Sequence, residues 1–300
     1  MNRSLRAAGL VFLWLEFLSA PAGADARQAA KITLHETRQS QTDLEIGGDL
    51  PGLHPGSTRY VTYSDLLKLP QVDYMVSDDT NFAGTTRIGG VALTELTRDL
   101  GPAVAASFVV AICNDGYRTN YPADYLRAHR PVLVLRINGR TLADWPESRY
   151  GPSLGPYLIS HPAFTPSFKV LSHSDEAQIP FGVVRLEFRA EQSVFGAIRP
   201  RGDFTSDSPV MEGYLIARQN CFRCHNMGAQ GGQMAGRSWQ ILAMWASTEP
   251  LYFARYVKNP RETDPKNRMP GNPQYDAETI DALRRYFASF GPPRKDGASQ

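Results

Sequence analysis

The residues best suited to chemistry are two cysteines and a histidine in one short motif. The sequence contains only three cysteines, and two of them lie in Cys221-Phe222-Arg223-Cys224-His225. Two thiols one helical turn apart can add to the two vinyl groups of one porphyrin edge, and the adjoining histidine then lies under the iron as an axial ligand. The motif therefore predicts one covalently attached haem c, linked through Cys221 and Cys224, with His225 on the iron.

Two other uses of this motif fit the sequence less well. A thioredoxin-like redox pair follows a strand, whereas a capped helix is predicted before Cys221. A structural zinc site needs four ligands, and the chain after residue 208 offers only two cysteines and one histidine. Covalent haem attachment is thus the use that agrees with the surrounding sequence.

The region after residue 208 is predicted to be all helical. Ser208 and Pro209 have the residue types of a helix cap and a first helical position, and this helix leads into the motif. A second helix is expected over residues 248–258. The last helix has Asp276 as its cap and apolar residues at three- to four-residue spacing as far as Phe290.

With these features, residues 209–291 resemble a class I cytochrome c. Gly213 in the first helix and Tyr286 in the last have the residue types that family members use where these two helices cross. The resemblance implies that a late methionine followed by proline is the second axial ligand, and Met269 matches that pattern. The implied function is outer-sphere electron transfer, because such a haem has no open coordination position.

Three other methionines, Met227, Met234 and Met244, are rival axial ligands, although each can instead fill space in a core. Met227 lies too close to His225 along the chain to reach the opposite face of a haem comfortably. Many family members also carry a proline after the motif whose carbonyl accepts the second N–H of the axial histidine. Residues 228–238 contain no proline, so another backbone carbonyl is expected to take this role.

Residues 31–195 predict a separate α+β domain, which makes the protein a two-domain chain. Apolar runs rich in β-branched residues and bounded by turn signals are typical of strands. The clearest predicted strands are 108–112, 131–137 and 183–188. Amphipathic segments at 63–69 and 91–100 are expected as helices, without the regular alternation of a doubly wound sheet. The polar, proline-containing stretch 196–208 is predicted to be a linker.

Several short sequence segments of this domain, among them Asp115-Gly116-Tyr117, resemble those of the sulfite-oxidase-type molybdopterin-binding fold in their order and spacing. In the enzymes of that family, a cysteine just after a strand binds molybdenum, and Cys113 follows the predicted strand 108–112 in a comparable place. The resemblance implies a molybdenum cofactor with Cys113 as its ligand. The alternative is that Cys113 is a small buried apolar residue, as free cysteines usually are.

The first 24 residues predict export to the periplasm with cleavage near Ala24. Arg3 and Arg6 precede a mostly apolar stretch, and small residues follow it, as in a secretory signal peptide. An uncleaved anchor is the alternative, but this apolar stretch is about 14 residues long, whereas a membrane span needs about 20. No later segment approaches that length.

Charge and composition limit the choice of partners. The formal net charge is +2, with 42% hydrophobic residues and no long run of like charge, which argues for a globular protein without a nucleic-acid partner. Residues 209–300, which end in a predicted tail at 292–300, carry 12 Lys and Arg against 8 Asp and Glu. This excess favours an acidic redox partner protein, although an ordinary solvated surface would account for it as well.

Two functions remain open on the sequence alone. The preferred one is an exported monohaem cytochrome whose N-terminal domain is a docking or scaffold module. The other is a molybdenum oxidoreductase that passes electrons from a substrate site near Cys113 to the haem. Three further residues have types suited to a pocket but receive no catalytic role: His54, His161 and Arg118.

Overall fold

The computed structural model describes residues 31–77, 79–101, 108–145, 154–162 and 178–291. The predicted leader, its cleavage site and the predicted C-terminal tail lie outside the described residues. Within them, a sheet-rich N-terminal body is followed by a helical C-terminal body, which confirms the predicted two-domain layout.

The N-terminal body is built on one sheet of nine described strands, with short helices around it. The strands are β1 (Leu44–Gly48), β2 (Arg59–Val61), β3 (Val72–Val76), β4 (Thr86–Ala92), β5 (Phe108–Cys113), β6 (Arg118–Tyr121), β7 (Val132–Ile137), β8 (Tyr157–Ser160) and β9 (Phe181–Arg189). The helices are α1 (Tyr63–Leu66), α2 (Leu93–Leu100), α3 (Ala123–His129) and α4 (Glu191–Phe195), with 3₁₀ turns at Leu142–Asp144 and Gly196–Ile198.

The strands run in the order β2-β1-β9-β8-β7-β4-β3, and β5 pairs with both β9 and β6. All described pairs are antiparallel except β1 with β9. An antiparallel sheet needs no crossover helix between successive strands, so the irregular mixture of elements in the sequence becomes an α+β fold. The three clearest predicted strands correspond to β5, β7 and β9.

The predicted helix over residues 91–100 begins two residues late. Val91 and Ala92 pair with Leu133 and Val132 in the sheet, so this end of the segment extends β4. The helix α2 then ends at Gly101, whose φ of 60° is the left-handed conformation that glycine adopts without strain. The start of α2 is therefore set by strand pairing with a distant segment, and its end is set by local turn chemistry.

A cluster of aromatic rings and imidazoles stands beside β6 and α3. His161 is 1% exposed, its Nε2 lies 3.1 Å from the hydroxyl of Tyr125, and its ring centroid lies 6.4 Å from that of Tyr121. Burial, helped by the nearby His129, lowers the pKa of His161 to about 3. The native protein therefore keeps this imidazole neutral at pH values where an unfolded chain protonates it.

The folded protein should accordingly lose stability as the pH falls below the unfolded pKa of about 6.5. Between that value and about pH 3, only the unfolded chain binds this proton, which removes about 1.4 kcal/mol of unfolding free energy per pH unit. Urea unfolding of His161→Phe at pH 7 and pH 5 should show a weaker pH dependence than the wild type. The exposed His54 supplies the control, and equal slopes for all three proteins would contradict the prediction.

The C-terminal body consists of five helices and a small hairpin among the described residues. The helices are α5 (Pro209–Asn220), α6 (Trp239–Thr248), α7 (Pro250–Lys258), α8 (Pro260–Thr263) and α9 (Ala277–Ala288). The hairpin pairs β10 (Asn226–Met227) with β11 (Gln230–Gly231). The Ser208 hydroxyl accepts the Met211 N–H at 3.3 Å, and Asp276 accepts the Thr279 N–H at 2.8 Å, so both predicted caps are confirmed.

The helix α6 and the small hairpin are additions to the predicted elements. Apolar residues occupy most positions of Trp239–Thr248, so the segment has little of the one-sided pattern that marks an amphipathic helix. The hairpin is only two residues long on each side, which is too short for an alternating pattern. The second predicted helix begins at Pro250 rather than residue 248, because α6 extends through Thr248.

One hydrophobic cluster spans the two bodies, in addition to the core within the sheet-rich body. Phe108 and Val110 of β5 belong to the same buried cluster as Phe222 and Trp239 of the helical body. The stretch 196–208, predicted as a linker, begins inside this cluster, since Ile198 is fully buried, whereas residues 201–207 are exposed. The helical body is therefore packed against the sheet rather than tethered by a free linker.

One hydrogen bond joins the last helix to the beginning of that stretch. The Tyr286 hydroxyl donates to the Ile198 carbonyl at 2.5 Å, and both residues are fully buried. Tyr286→Phe should lower the free energy of unfolding by about 1–2 kcal/mol, because it leaves a buried carbonyl without this donor. Urea denaturation measures the loss, with the half-exposed Tyr252→Phe as control, and equal midpoints for the two variants would contradict it.

Candidate haem-binding site

The two cysteines lie on a turn that continues directly from α5. Cys221 is the C-terminal cap of this helix, and its N–H donates to the Ala217 carbonyl at 2.8 Å. The N–H groups of Cys224 and His225 then donate to the Cys221 carbonyl at 3.2 and 2.9 Å. Both cysteines are half-exposed and free of disulfide bonds. Burial of the sulfurs raises the pKa of both thiols, that of Cys221 to about 12, so the turn presents two protonated thiols.

His225 is held by a backbone carbonyl in the way an axial ligand requires. Its side chain is buried, and Nδ1 lies 2.6 Å from the carbonyl oxygen of Arg237, so Nδ1 is the protonated nitrogen and Nε2 keeps its lone pair. Burial lowers the pKa of His225, although the Arg237 carbonyl opposes that shift, and the neutral imidazole is the form that binds a metal. The expectation of a non-proline carbonyl partner is met by Arg237.

Two glycines allow the chain to pass close to the cysteine turn. A Cβ on Gly232 would lie 1.7 Å from the Arg223 carbonyl oxygen, and a Cβ on Gly231 would lie 2.5 Å from that of His225. Contacts this short exclude any side chain at either position. The segment behind the motif is therefore glycine backbone without side chains. Two thiols beside an imidazole whose Nε2 is unprotonated are a donor set that fits a covalently bound haem.

Met269 lies in the loop between α8 and α9. It is half-exposed, and its N–H donates to the Asn267 side-chain oxygen at 3.0 Å. Asn267 in turn donates from Nδ2 to the hydroxyl of Tyr256 on α7 at 2.5 Å. This irregular loop is thus attached to α7 two residues before the predicted ligand.

The rival methionines have other surroundings. The Met227 sulfur accepts a hydrogen bond from Gln240 Nε2 at 3.0 Å, and Met244 is 49% exposed on the surface of α6. The Met234 sulfur lies 3.8 Å from the sulfur of Cys224, on the same side of the chain as the attachment cysteine. Met227 and Met234 thus make contacts through their sulfurs, whereas Met269 is held through its backbone N–H by the Asn267 side chain.

Cys113 is the last residue of β5 and belongs to the hydrophobic core of the N-terminal domain. It is 4% exposed, and its N–H donates to the Tyr117 carbonyl at 2.9 Å. Burial, with smaller contributions from Asp115 and Cys224, raises the pKa of this thiol well above its usual value. These surroundings are those of a small buried apolar residue.

The turn between β5 and β6 is in direct contact with the cysteine motif. The Arg118 N–H donates to the Arg223 carbonyl at 3.0 Å, and the Gln233 N–H donates to the Gly116 carbonyl at 2.8 Å. The guanidinium carbon of Arg223 lies 6.0 Å from the centre of the Tyr117 ring. The N-terminal domain therefore contacts the turn that carries the cysteines through backbone hydrogen bonds.

The sequence signalled this contact only weakly. Asp115-Gly116 marks a turn, and Gly116 has a φ of 86°, but no pattern indicates what the turn packs against. Arg118, considered for a pocket, instead donates from Nη1 to the Ala229 carbonyl at 3.3 Å in the helical domain. Of the other two residues considered with it, His54 is exposed, and His161 lies in the aromatic cluster.

Across the parts of the chain that the structure describes, no group of three or more His, Cys, Asp or Glu side chains is arranged to hold a metal ion. No described helix is both long enough and apolar enough to cross a membrane.

Comparisons with known proteins find a family model that matches the helical body. Residues 208–287 match the family model of cytochrome c oxidase, cbb3-type, subunit III. A search of curated proteins found no match. Among solved structures, the chain is similar to the sulfane dehydrogenase SoxCD from Paracoccus pantotrophus, with 16% sequence identity and a TM-score of 0.35. That match covers 53% of this chain and 42% of the other, so this chain spans less than half of that relative's length.

The family match covers α5, the cysteine motif, Met269 and nearly all of α9. It agrees with the helical fold of this body and implies a covalently bound haem. The chain thus carries a C-terminal cytochrome c domain, at residues 208–287, behind an N-terminal α+β domain.

Proposed function

We propose that this protein is a monohaem c-type cytochrome that transfers single electrons. Cys221 and Cys224 form the thioether links, and His225 Nε2 and the Met269 sulfur are the axial ligands. The observation that carries the proposal is the hydrogen bond from His225 Nδ1–H to the Arg237 carbonyl at 2.6 Å, directly beside two free thiols. A haem with both axial positions filled supplies outer-sphere electron transfer and no open position for a substrate.

The N-terminal domain acts in this proposal as a scaffold for the haem-bearing turn. Two backbone hydrogen bonds, from Arg118 to Arg223 and from Gln233 to Gly116, join the domains beside the attachment cysteines. Packing of Phe195 against Phe222, with ring centroids 5.9 Å apart, continues the same contact into the core. A turn held from both sides changes little between oxidation states, which favours rapid electron transfer.

The redox partner is proposed to be an acidic protein. Arginine and lysine outnumber acidic residues around α7, α8 and the Met269 loop, and the five basic side chains are all exposed: Arg255, Lys258, Arg261, Lys266 and Arg268. Two exposed acids, Glu262 and Asp264, interrupt them. Such a surface attracts a negatively charged partner, so the rate of electron transfer should fall as ionic strength rises.

We place this function in the periplasm, on the basis of the predicted leader and the need of haem attachment for reduced, exported thiols. Expression with and without the leader, in cells that attach haem c, tests this placement. Haem-containing protein should be recovered only when residues 1–24 are present. Equal haem content without them would contradict export.

The decisive experiment for the function is a measurement of haem and metals on the purified full-length chain. After expression with both haem-attachment and molybdenum-cofactor pathways, we expect one covalent haem and one iron per chain, with no molybdenum. Haem that resists acidic acetone extraction in the wild type, but not in Cys221→Ser/Cys224→Ser, confirms the thioether links. Stoichiometric molybdenum that is lost in Cys113→Ser would support the alternative molybdenum oxidoreductase.

A further inference from the structure

A continuous set of contacts connects the two proposed axial ligands through one tyrosine of α7. On the His225 side, the Arg237 carbonyl accepts the imidazole N–H at 2.6 Å. The Arg237 side chain then lies over Tyr256, with its guanidinium carbon 5.1 Å from the ring centre. On the Met269 side, the Tyr256 hydroxyl accepts from Asn267, whose side-chain oxygen accepts the Met269 N–H.

Tyr256 is well placed to connect the two sets of contacts rigidly. It is 3% exposed, and its ring packs against Trp245 at 5.3 Å between centroids. Trp245 also lies 5.2 Å from the Arg237 guanidinium carbon, so that side chain is in contact with two aromatic rings. Because Arg237 and Asn267 contact different parts of the same buried side chain, neither can move far without disturbing the other.

We infer that Tyr256 is a positioning residue that holds Met269 on the haem iron at a fixed distance from His225. This inference rests on the proposed His225 and Met269 ligation and adds the residues that control it. The hydroxyl of Tyr256 acts on the methionine side through Asn267, and its ring acts on the histidine side through Arg237. The effect of the hydroxyl can be tested separately from the effect of the ring, because Tyr256→Phe removes the hydroxyl and keeps the ring.

The main test measures how readily Met269 leaves the ferric iron of the intact holoprotein. Added imidazole competes with the thioether, and its apparent dissociation constant is measured from the loss of the long-wavelength charge-transfer band of methionine-ligated ferric haem. Loss of one hydrogen bond in the supporting network should lower that constant about fivefold in Tyr256→Phe. Tyr252→Phe is the matched control, because Tyr252 stacks in the same aromatic cluster and is half-exposed.

A double variant tests whether the two residues act through one chain of contacts. Asn267→Ala should increase imidazole binding at least as much as Tyr256→Phe, and the double variant should show no further increase beyond Asn267→Ala. In proton spectra of the paramagnetic protein, the Met269 methyl resonance should shift in Tyr256→Phe. The His225 ring resonances should shift only in Tyr256→Leu, which also removes the ring under Arg237.

The outcomes separate this inference from the proposed function. If Met269→Ala abolishes the charge-transfer band while Tyr256→Phe binds imidazole like Tyr252→Phe, the positioning role is wrong and the ligation stands. If Met269→Ala retains the band, the proposed ligation is wrong, and the inference fails with it. If Tyr256→Phe does not accumulate as folded protein, imidazole binding by Asn267→Ala in the exposed loop tests the positioning role instead.

Discussion

Met269→Ala should abolish the charge-transfer band of methionine-ligated haem and lower the midpoint reduction potential. A thioether opposite histidine favours the ferrous state, so its replacement by water or a stronger donor stabilises the ferric state. We expect a fall on the order of 0.1 V or more, within the span of about 0.8 V that axial ligands set. Absorbance spectra and a redox titration of the purified holoprotein measure both effects.

The rival methionines provide the controls for this experiment. Met244→Ala removes a side chain that is 49% exposed on α6, and Met234→Ala removes the sulfur beside Cys224. Neither variant should change the band, and each should leave the potential close to the wild-type value. Loss of the band in Met234→Ala, with an unchanged spectrum in Met269→Ala, would transfer the axial role to Met234.

Gly213→Ala should destabilise the cytochrome domain by about 3 kcal/mol, because α5 and α9 have no space for a methyl group where they cross. A Cβ at this position would lie 2.1 Å from the Ala282 carbonyl oxygen and 2.7 Å from the Tyr286 Cβ. The first of these atoms belongs to the backbone of a packed helix, so relief requires the helices to separate. The gain of about 1 kcal/mol that alanine brings to an isolated helix is smaller than this cost.

Urea unfolding of the holoprotein, followed by haem absorbance, measures this loss. The control is Gly236→Ala in the same domain, where a Cβ would have no neighbour within 4 Å. That variant should unfold within about 0.5 kcal/mol of the wild type, as surface substitutions usually do. Equal midpoints for both glycine variants would mean that α5 and α9 do not cross closely at Gly213.

The elements that local chemistry defines were predictable. Ser208 and Asp276 accept the N–H groups expected of helix caps, and the three clearest predicted strands correspond to β5, β7 and β9. The boundary of α2 and the presence of α6 were not predictable. Pairing of β4 with β7 extended a strand into the amphipathic segment, and α6 is apolar on most sides, so neither feature has a local pattern.

The predicted linker likewise has one feature that the sequence revealed and one that only the tertiary structure revealed. A polar stretch after residue 195 is visible in the sequence, and residues 201–207 are indeed exposed. Burial of Ile198 and its bond to Tyr286 depend on a helix that begins almost 80 residues later. Composition therefore revealed a boundary between the domains but not that the two domains share a hydrophobic cluster.

The sequence by itself determined the chemistry of the protein. Two cysteines and a histidine at fixed spacing are side-chain identities, and they predict covalent haem attachment wherever they stand on the fold. Only the tertiary structure decided which carbonyl holds His225, which turn of the N-terminal domain lies on the motif, and that Tyr256 connects Arg237 with Asn267. The reason is that every residue carries the same carbonyl and N–H, so the choice among them depends on how distant segments pack.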